Sequence, residues 1–250
     1  MTKYNASYQP SNNLLKDRVI LVTGAGQGIG KTAALAFAQH GATVILLDKN
    51  TKNLESTYDA IQAANYPEAL IFAMDLEKAS ENDFKGLSEG IYQQLGRLDG
   101  VLHNATHFNN LSPLEIQTAE QFEQMFKVNV FAPFALTKAC LPLLKRAEDA
   151  SIIFTSNSAA QDIKPFWGSH GISKVAVDAL MKLWAQEIDG PNIRFNSIVP
   201  GALQSPQRKK THPGEVHGDL PSMESAMPLY LYLMGSDSKG TTGQILTCAD

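Results

Sequence analysis

Residues Thr23 to Gly30 read TGAGQGIG and place four glycines where main chain could close around a phosphate. Glycine permits a tight turn and a close approach of backbone to a diphosphate, and a helix that starts there adds unpaired N–H groups and the positive end of its dipole. An acid, Asp48, follows about 20 residues on and suits the hydroxyls of an adenosine ribose, so the pattern points to a dinucleotide. Farther along, His170 stands four residues before Lys174 in WGSHGISK. A nearby ammonium disfavours imidazolium, so His170 should be neutral at pH 7, able to accept a proton but a poor acid. Asn157, in TSNSAA, carries an N–H donor of the kind found in oxyanion holes.

Other candidates carry weaker chemistry. His103, His107, His212 and His217 lack metal-ligand spacing, so no metal site is expected and they read as solvated loop histidines. Arg208, Lys209 and Lys210 either reach a phosphate-bearing ligand or form a solvated face. Ile163, Phe166 and Trp167 either line a substrate crevice or pack at a helix start.

These residues need a scaffold, and the hydrophobic pattern supplies one. Short β-branched runs at 19–23, 43–48, 69–75, 100–104, 151–156, 194–199 and 243–247 alternate with amphipathic segments at 28–40, 52–64, 81–95, 119–144, 168–189 and 225–234. That alternation predicts βαβ units: a single-domain, doubly wound α/β fold with a seven-stranded parallel sheet covered on both faces. Thr118 and Gln121 predict a capping box, and Gly41 a helix stop. Its ligand crevice should lie beyond the carboxyl ends of the strands. A polar leader, 1–16, precedes the domain at 17–250, and the Pro/Gly/His-rich stretch 205–222 reads as a lid or binding loop.

Composition narrows the function. With 250 residues, 44% of them hydrophobic, and a formal charge of −4 spread along the chain, a small-molecule ligand is expected, with no nucleic-acid or membrane partner. Two isolated cysteines and a start without an apolar h-region fit a reduced, cytoplasmic setting. Apolar runs stay far below the roughly 18 residues of a membrane span. Segments 119–144 and 168–189 are apolar on more than one face, so a second subunit is expected to cover them.

The spacing TGxxxGxG, with Asp75 and Leu76 after the third strand, HNAT at 103–106, VNV at 128–130, the SK of WGSHGISK and VPG at 199–201, resembles the short-chain dehydrogenase/reductase family. The likeness runs from about Lys16 to Thr247. The HNA, the WG and the MPLYLYLMGSDS run resemble a bacterial branch of oxidoreductases within it. The resemblance implies a Rossmann-type NAD(P)(H)-dependent oxidoreductase acting on CH–OH groups, assembled as a homodimer or homotetramer. It assigns Gly24, Gln27, Gly28, Ile29 and Gly30 to the cofactor diphosphate turn, Asp48 to the adenosine ribose, Asp75 and Leu76 to the adenine, and Asn104 and Ala105 to the adenosine side. Pro200 and Gly201 fall to the nicotinamide end, and Lys174 to its ribose. Because Asp48 repels a 2′-phosphate, NAD is expected over NADP, although Lys49 beside it can pair with that phosphate.

By the same resemblance the reaction centre holds Lys174 and, on the preceding long helix, Asn129, whose family counterpart holds a relay water. The family's tyrosine position is His170 and its serine position Asn157. Thr106 stands where the family has a glycine. An imidazole reaches about 2 Å less far than a phenol, and about 1 Å of misplacement can cost around a hundredfold. Three outcomes are open: a cofactor-binding protein with weak or no carbonyl reduction; an active oxidoreductase using His170 as proton acceptor with Lys174 and Asn157; or chemistry at Ser156, Ser158 or Ser169.

Overall fold

Strand β2 (Val19–Thr23) is buried at all five positions, as a parallel strand between two helical layers must be. The computed structural model describes residues 2–3, 8–188 and 190–248. In chain order the other elements are β1 (Thr2–Lys3), α1 (Gly28–Gln39), β3 (Thr43–Asp48), α2 (Thr51–Ala63), β4 (Leu70–Ala73), α3 (Glu81–Leu95), β5 (Gly100–His103), α4 (Ala119–Phe126), α5 (Ala132–Leu144), β6 (Ala150–Thr155), α6 (Gly168–Glu187), β7 (Ile193–Val199), α7 (Pro206–Thr211), α8 (Met227–Met234) and β8 (Ile245–Thr247).

All strand pairs are parallel, in the order β1-β8-β7-β6-β5-β2-β3-β4. The seven expected strands are present. The winding reverses at β2, which lies between β3 and β5, so a crevice opens beyond the carboxyl ends of β2 and β5. One core packs α1, α2 and α8 on the first face, around Phe37, Leu54 and Tyr230. The other packs α3, α5 and α6 on the second, around Phe84, Leu136 and Met181.

Several boundaries differ for physical reasons. The leader is not wholly apart from the domain: Thr2 and Lys3 add an eighth strand beside β8, and Leu15 is fully buried in the first core. Residues 1 and 4–7 of that leader lie outside the described residues, as do 189, the predicted end of the fifth helix, and 249–250. The edge strand β4 is shorter than the expected 69–75 and alternates between half-buried and exposed positions. The expected loop 205–222 contains α7, opened by Ser205, whose hydroxyl accepts from the Arg208 N–H at 3.2 Å, and by Pro206 at the first helical position. The Thr118–Gln121 box forms as expected, and Gly41 stops α1 at φ +95°.

The expected helix 119–144 is continuous, but residues Lys127–Phe131 widen into a π turn between α4 and α5. Pro133 follows, and a proline ring clashes with the carbonyl four residues back, here that of Asn129; the wider turn relieves it. By length and composition this 26-residue helix could cross a membrane, yet it packs on α3 and α6 as a core helix.

Candidate active site

The turn after β2 is shaped by positions where only glycine fits. Gly24 and Gly28 lie at φ +69° and +58°, and a Cβ on Gly24 would come within 2.9 Å of the Ala105 Cα. A Cβ on Gly30 would strike the Gly24 carbonyl oxygen and approach the Asn104 side-chain amide at 2.5 Å. Thr23 ties this turn to the neighbouring strand. Its hydroxyl accepts from the N–H groups of Asn104 (3.0 Å) and Ala105 (3.1 Å) and donates to the Leu102 carbonyl (3.3 Å). From the other side the Thr57 hydroxyl of α2 donates to the Ala25 carbonyl at 3.0 Å.

The helix α1 starts at Gly28, and Gln27 before it makes no side-chain cap, so the first amides of α1 are left for an anion. Asp48, at the end of β3, accepts from the Gly26 N–H at 3.2 Å and from the Asn50 N–H at 3.0 Å. Its carboxylate therefore faces the turn with both oxygens engaged.

Beyond these elements a cavity of about 270 Å³ runs along the carboxyl edge of the sheet. Every residue assigned to the cofactor by resemblance lines it except Gly30, which shapes the turn from behind. An open glycine turn, free helix amides and an acid at the end of the second expected strand suit a dinucleotide. Of the four reaction-centre positions, Asn157 and Lys174 line the cavity, and Asn129 and His170 do not.

His170 is 2% exposed and sits among rings, edge-on to Phe108 at 5.1 Å and tilted against Trp167 at 5.8 Å. Neither ring nitrogen has a well-formed hydrogen bond. Burial, and then the Lys174 ammonium, lowers its pKa to about 3 against the opposing pull of the His107 backbone. The imidazole is thus neutral at pH 7, as the sequence led one to expect, but burial rather than the lysine is the main cause.

Lys174 is 5% exposed, and its ammonium donates to the Thr155 carbonyl at 2.8 Å. Burial brings its pKa down to about 8, with the Asp178 carboxylate opposing. Asp178 in turn accepts from Ser156 (2.9 Å) and Gln161 (2.7 Å). Asn157 spends its side-chain oxygen on the Ala159 N–H at 2.8 Å, capping the turn Ser158–Ala160. Ser156 is buried and committed to Asp178, Ser158 is exposed, and Ser169 is buried at the start of α6.

Asn129 lies in the π turn, 2% exposed. Its side-chain oxygen accepts from the His107 N–H (2.7 Å) and the Thr106 hydroxyl (3.2 Å). Its amide faces the His107 carbonyl (3.1 Å), the Ser173 hydroxyl (3.0 Å) and the Met125 sulfur (3.1 Å). Both lone pairs and both hydrogens of this side chain are therefore taken by protein.

Three expectations need correction. His103 is no solvated loop residue: it is buried, bonded to the Thr137 hydroxyl at 2.8 Å and stacked on Phe154, because its place in β5 points it into the helical layer. His107 lines the cavity with a buried ring nitrogen rather than facing bulk solvent. Of Ile163, Phe166 and Trp167, expected either to line the crevice or to pack at a helix start, only Trp167 lines it, and Ile163 and Phe166, 78% and 57% exposed with Phe166 at φ +73°, do neither. Among the described residues no cluster of three metal-ligating side chains occurs.

The sequence also hid contributors. In the sequence Thr23 is only the first letter of the glycine motif, although a hydroxyl at a strand end next to that turn is a ready partner for main-chain amides. Pro206, Gln207 and Thr211 of α7 line the cavity beside Arg208, the one of the three loop basics that does so, and the Ser-Pro pair at 205–206 is the signal that a helix starts there.

Comparison with known proteins agrees with this geometry. Residues 18–215 match the family model described as short chain dehydrogenase. The chain is 39% identical over 236 residues to the uncharacterized oxidoreductase YciK of Escherichia coli K12, covering 94% of this chain and 93% of that one. A short chain dehydrogenase structure from Pseudomonas syringae superposes with a TM-score of 0.92 at 45% identity, covering 96% and 98% of the two chains. One from Escherichia coli CFT073, complexed with NADPH, gives 0.91 at 38% identity, covering 95% and 99%.

Proposed function

The chain belongs to the short-chain dehydrogenase family and carries its nicotinamide-dinucleotide site, and from that premise we propose that it binds NADP(H) but turns over ordinary carbonyl substrates poorly or not at all. Bound nicotinamide would supply or accept hydride, and the chain must handle the matching proton. The observation that carries the reading is His170. The position that the family resemblance gives to the proton-exchanging group holds an imidazole that is buried, does not line the cavity and, with its pKa lowered to about 3, is neutral at pH 7. Such a group is no acid for a carbonyl oxygen at neutral pH.

NADP(H) replaces the expected NAD. Asp48 has both oxygens held by main-chain amides, which spreads the charge that would repel a 2′-phosphate, and Lys49 lines the cavity beside it. The Escherichia coli CFT073 structure holds NADPH.

Calorimetric titration should give tighter binding of NADPH than of NADH, and a broad alcohol and ketone screen should give background rates. Robust turnover that disappears in His170→Ala would overturn the reading in favour of His170 as a working base. His170→Tyr with Asn157→Ser should gain carbonyl reduction; no gain with cofactor binding intact would mean that the crevice, and not the proton donor alone, prevents turnover.

A second copy of the chain is proposed to cover α5 and α6. Phe131, Phe134, Ile172, Val175 and Leu183 are large, apolar and exposed on neighbouring helical surfaces, an arrangement that supports pairing through them.

A further inference from the structure

The flap between Gln204 and Leu220 roofs the cavity and is stapled at its base, where the Gln204 side-chain amide donates to the Leu220 carbonyl at 2.6 Å and the Gln204 N–H to the Pro221 carbonyl at 2.9 Å. Its helix α7 is wedged between the two halves of the site. At one end Pro206 lies over the glycine turn, 3.5 Å from where a Cβ of Gly28 would be. At the other, His212 meets the Trp167 ring at 6.3 Å.

The glycine turn offers a diphosphate main-chain amides but no cation of its own. The first turn of α1 ends in Lys31, whose ammonium is turned to the Ser56 hydroxyl at 3.0 Å. Three cations line the cavity. Lys174 is buried and bound to the Thr155 carbonyl, and Lys49 stands beside Asp48 at the far end of β3. Arg208, two residues after Pro206, is the remaining one. Its guanidinium is held by Glu215, with Nε donating to one carboxylate oxygen at 2.6 Å and Nη2 to the other at 2.8 Å. Glu215 does not line the cavity, and both side chains are partly in solvent.

We propose that Arg208 is the clamp that closes the flap over the cofactor diphosphate, and that Glu215 is the latch that holds its guanidinium until the diphosphate arrives. The fork that matches a carboxylate also matches a phosphate, and the phosphate carries more charge in a less solvated place. A part-exposed ion pair is weak enough to exchange. The inference deepens the cofactor reading and rests on it.

The two side chains must then act with opposite sign. In fluorescence titrations Arg208→Gln should weaken NADPH and ADP-ribose binding about tenfold or more. Glu215→Gln, which frees the guanidinium, should tighten both by about 1.4- to 5-fold. Adenosine 2′-monophosphate, which lacks the diphosphate, should bind all three proteins alike. ADP-ribose binding unchanged in Arg208→Gln, an equal loss for adenosine 2′-monophosphate, or weaker binding in Glu215→Gln each overturns the proposal. Wild-type protein that binds no NADPH would sink the cofactor reading itself, whereas normal wild-type binding with insensitive variants sinks only the clamp.

Discussion

Replacing His170 with phenylalanine should make the protein less sensitive to acid. The imidazole has an ordinary pKa of 6.5, which it regains when unfolded, and a folded value of about 3. Between those values the unfolded chain binds a proton that the folded chain refuses, so His170 destabilises the fold increasingly as pH falls below 6.5. At pH 7 the penalty is nearly absent; at pH 5 the separation of the two pKa values corresponds to about 2 kcal/mol. Phenylalanine has nothing to protonate, fits among the rings of Phe108 and Trp167, and removes two unpaired buried nitrogens. His103, whose pKa burial also lowers to about 3, is present in both proteins and cancels. Urea denaturation at pH 7 and pH 5 measures the difference. The wild type should lose about 2 kcal/mol more than His170→Phe over that interval, a midpoint difference on the order of 1 M. Equal losses would mean that the imidazole titrates alike in folded and unfolded chains. It would then be solvated or open to the cavity, and the argument against its acid/base role would fall with it.

Three other outcomes are expected. Any residual carbonyl reduction by the wild type should fall as pH rises through about 8, because burial brings Lys174 there and only its protonated form donates; a rate flat from about pH 6 to 10 would exclude that lysine as the donor. Gly30→Ala should weaken NADPH binding at least tenfold and cost about 1–3 kcal/mol of stability, since its methyl group meets the Gly24 carbonyl and the Asn104 amide; unaltered titration and melting curves would refute the steric reading of the turn. Leu183→Asp, at a position 53% exposed on α6, should halve the sedimenting mass without lowering the monomer's stability; a wild type that already sediments as a monomer would remove the proposed pairing.

The parts of the molecule legible in the sequence are those fixed by periodicity or by steric exclusion. Buried strands such as VILVT have a composition that suits little else, and Gly24 and Gly30 sit where a Cβ has no room, so the parallel sheet and the cofactor turn could be foreseen. What escaped depends on contacts between segments distant in sequence. Nothing local to His103 says that Thr137, 34 residues away, will bond its ring. The π turn at Lys127–Phe131 follows from Pro133, but only once the helix is known to run through it. Phe166 and Trp167 are adjacent and both aromatic, and a backbone at φ +73° sends one outward while the other lines the cavity.

The same division of causes bears on how a dinucleotide site and the proposed loss of turnover can share one chain. The cofactor half is held by main chain: glycines with no space for a side chain, a Thr23 hydroxyl on two amides, an Asp48 carboxylate on two more. Substitutions elsewhere leave those bonds in place, and Lys174 keeps its own anchor on the Thr155 carbonyl. The proton-handling half depends on side-chain identity alone. Once the ring at 170 packs between Phe108 and Trp167, the proton donor left at the cavity is the Lys174 ammonium, which the Thr155 carbonyl already holds. The Asn129 side chain clamps the His107 backbone through both its N–H and its carbonyl and also holds Ser173. It is a strut between the cavity wall at His107 and helix α6. The double variant His170→Tyr with Asn157→Ser is expected to gain measurable but slow reduction rather than a full rate, because a phenol at 170 must leave the packing against Phe108 and Trp167 to reach the cavity.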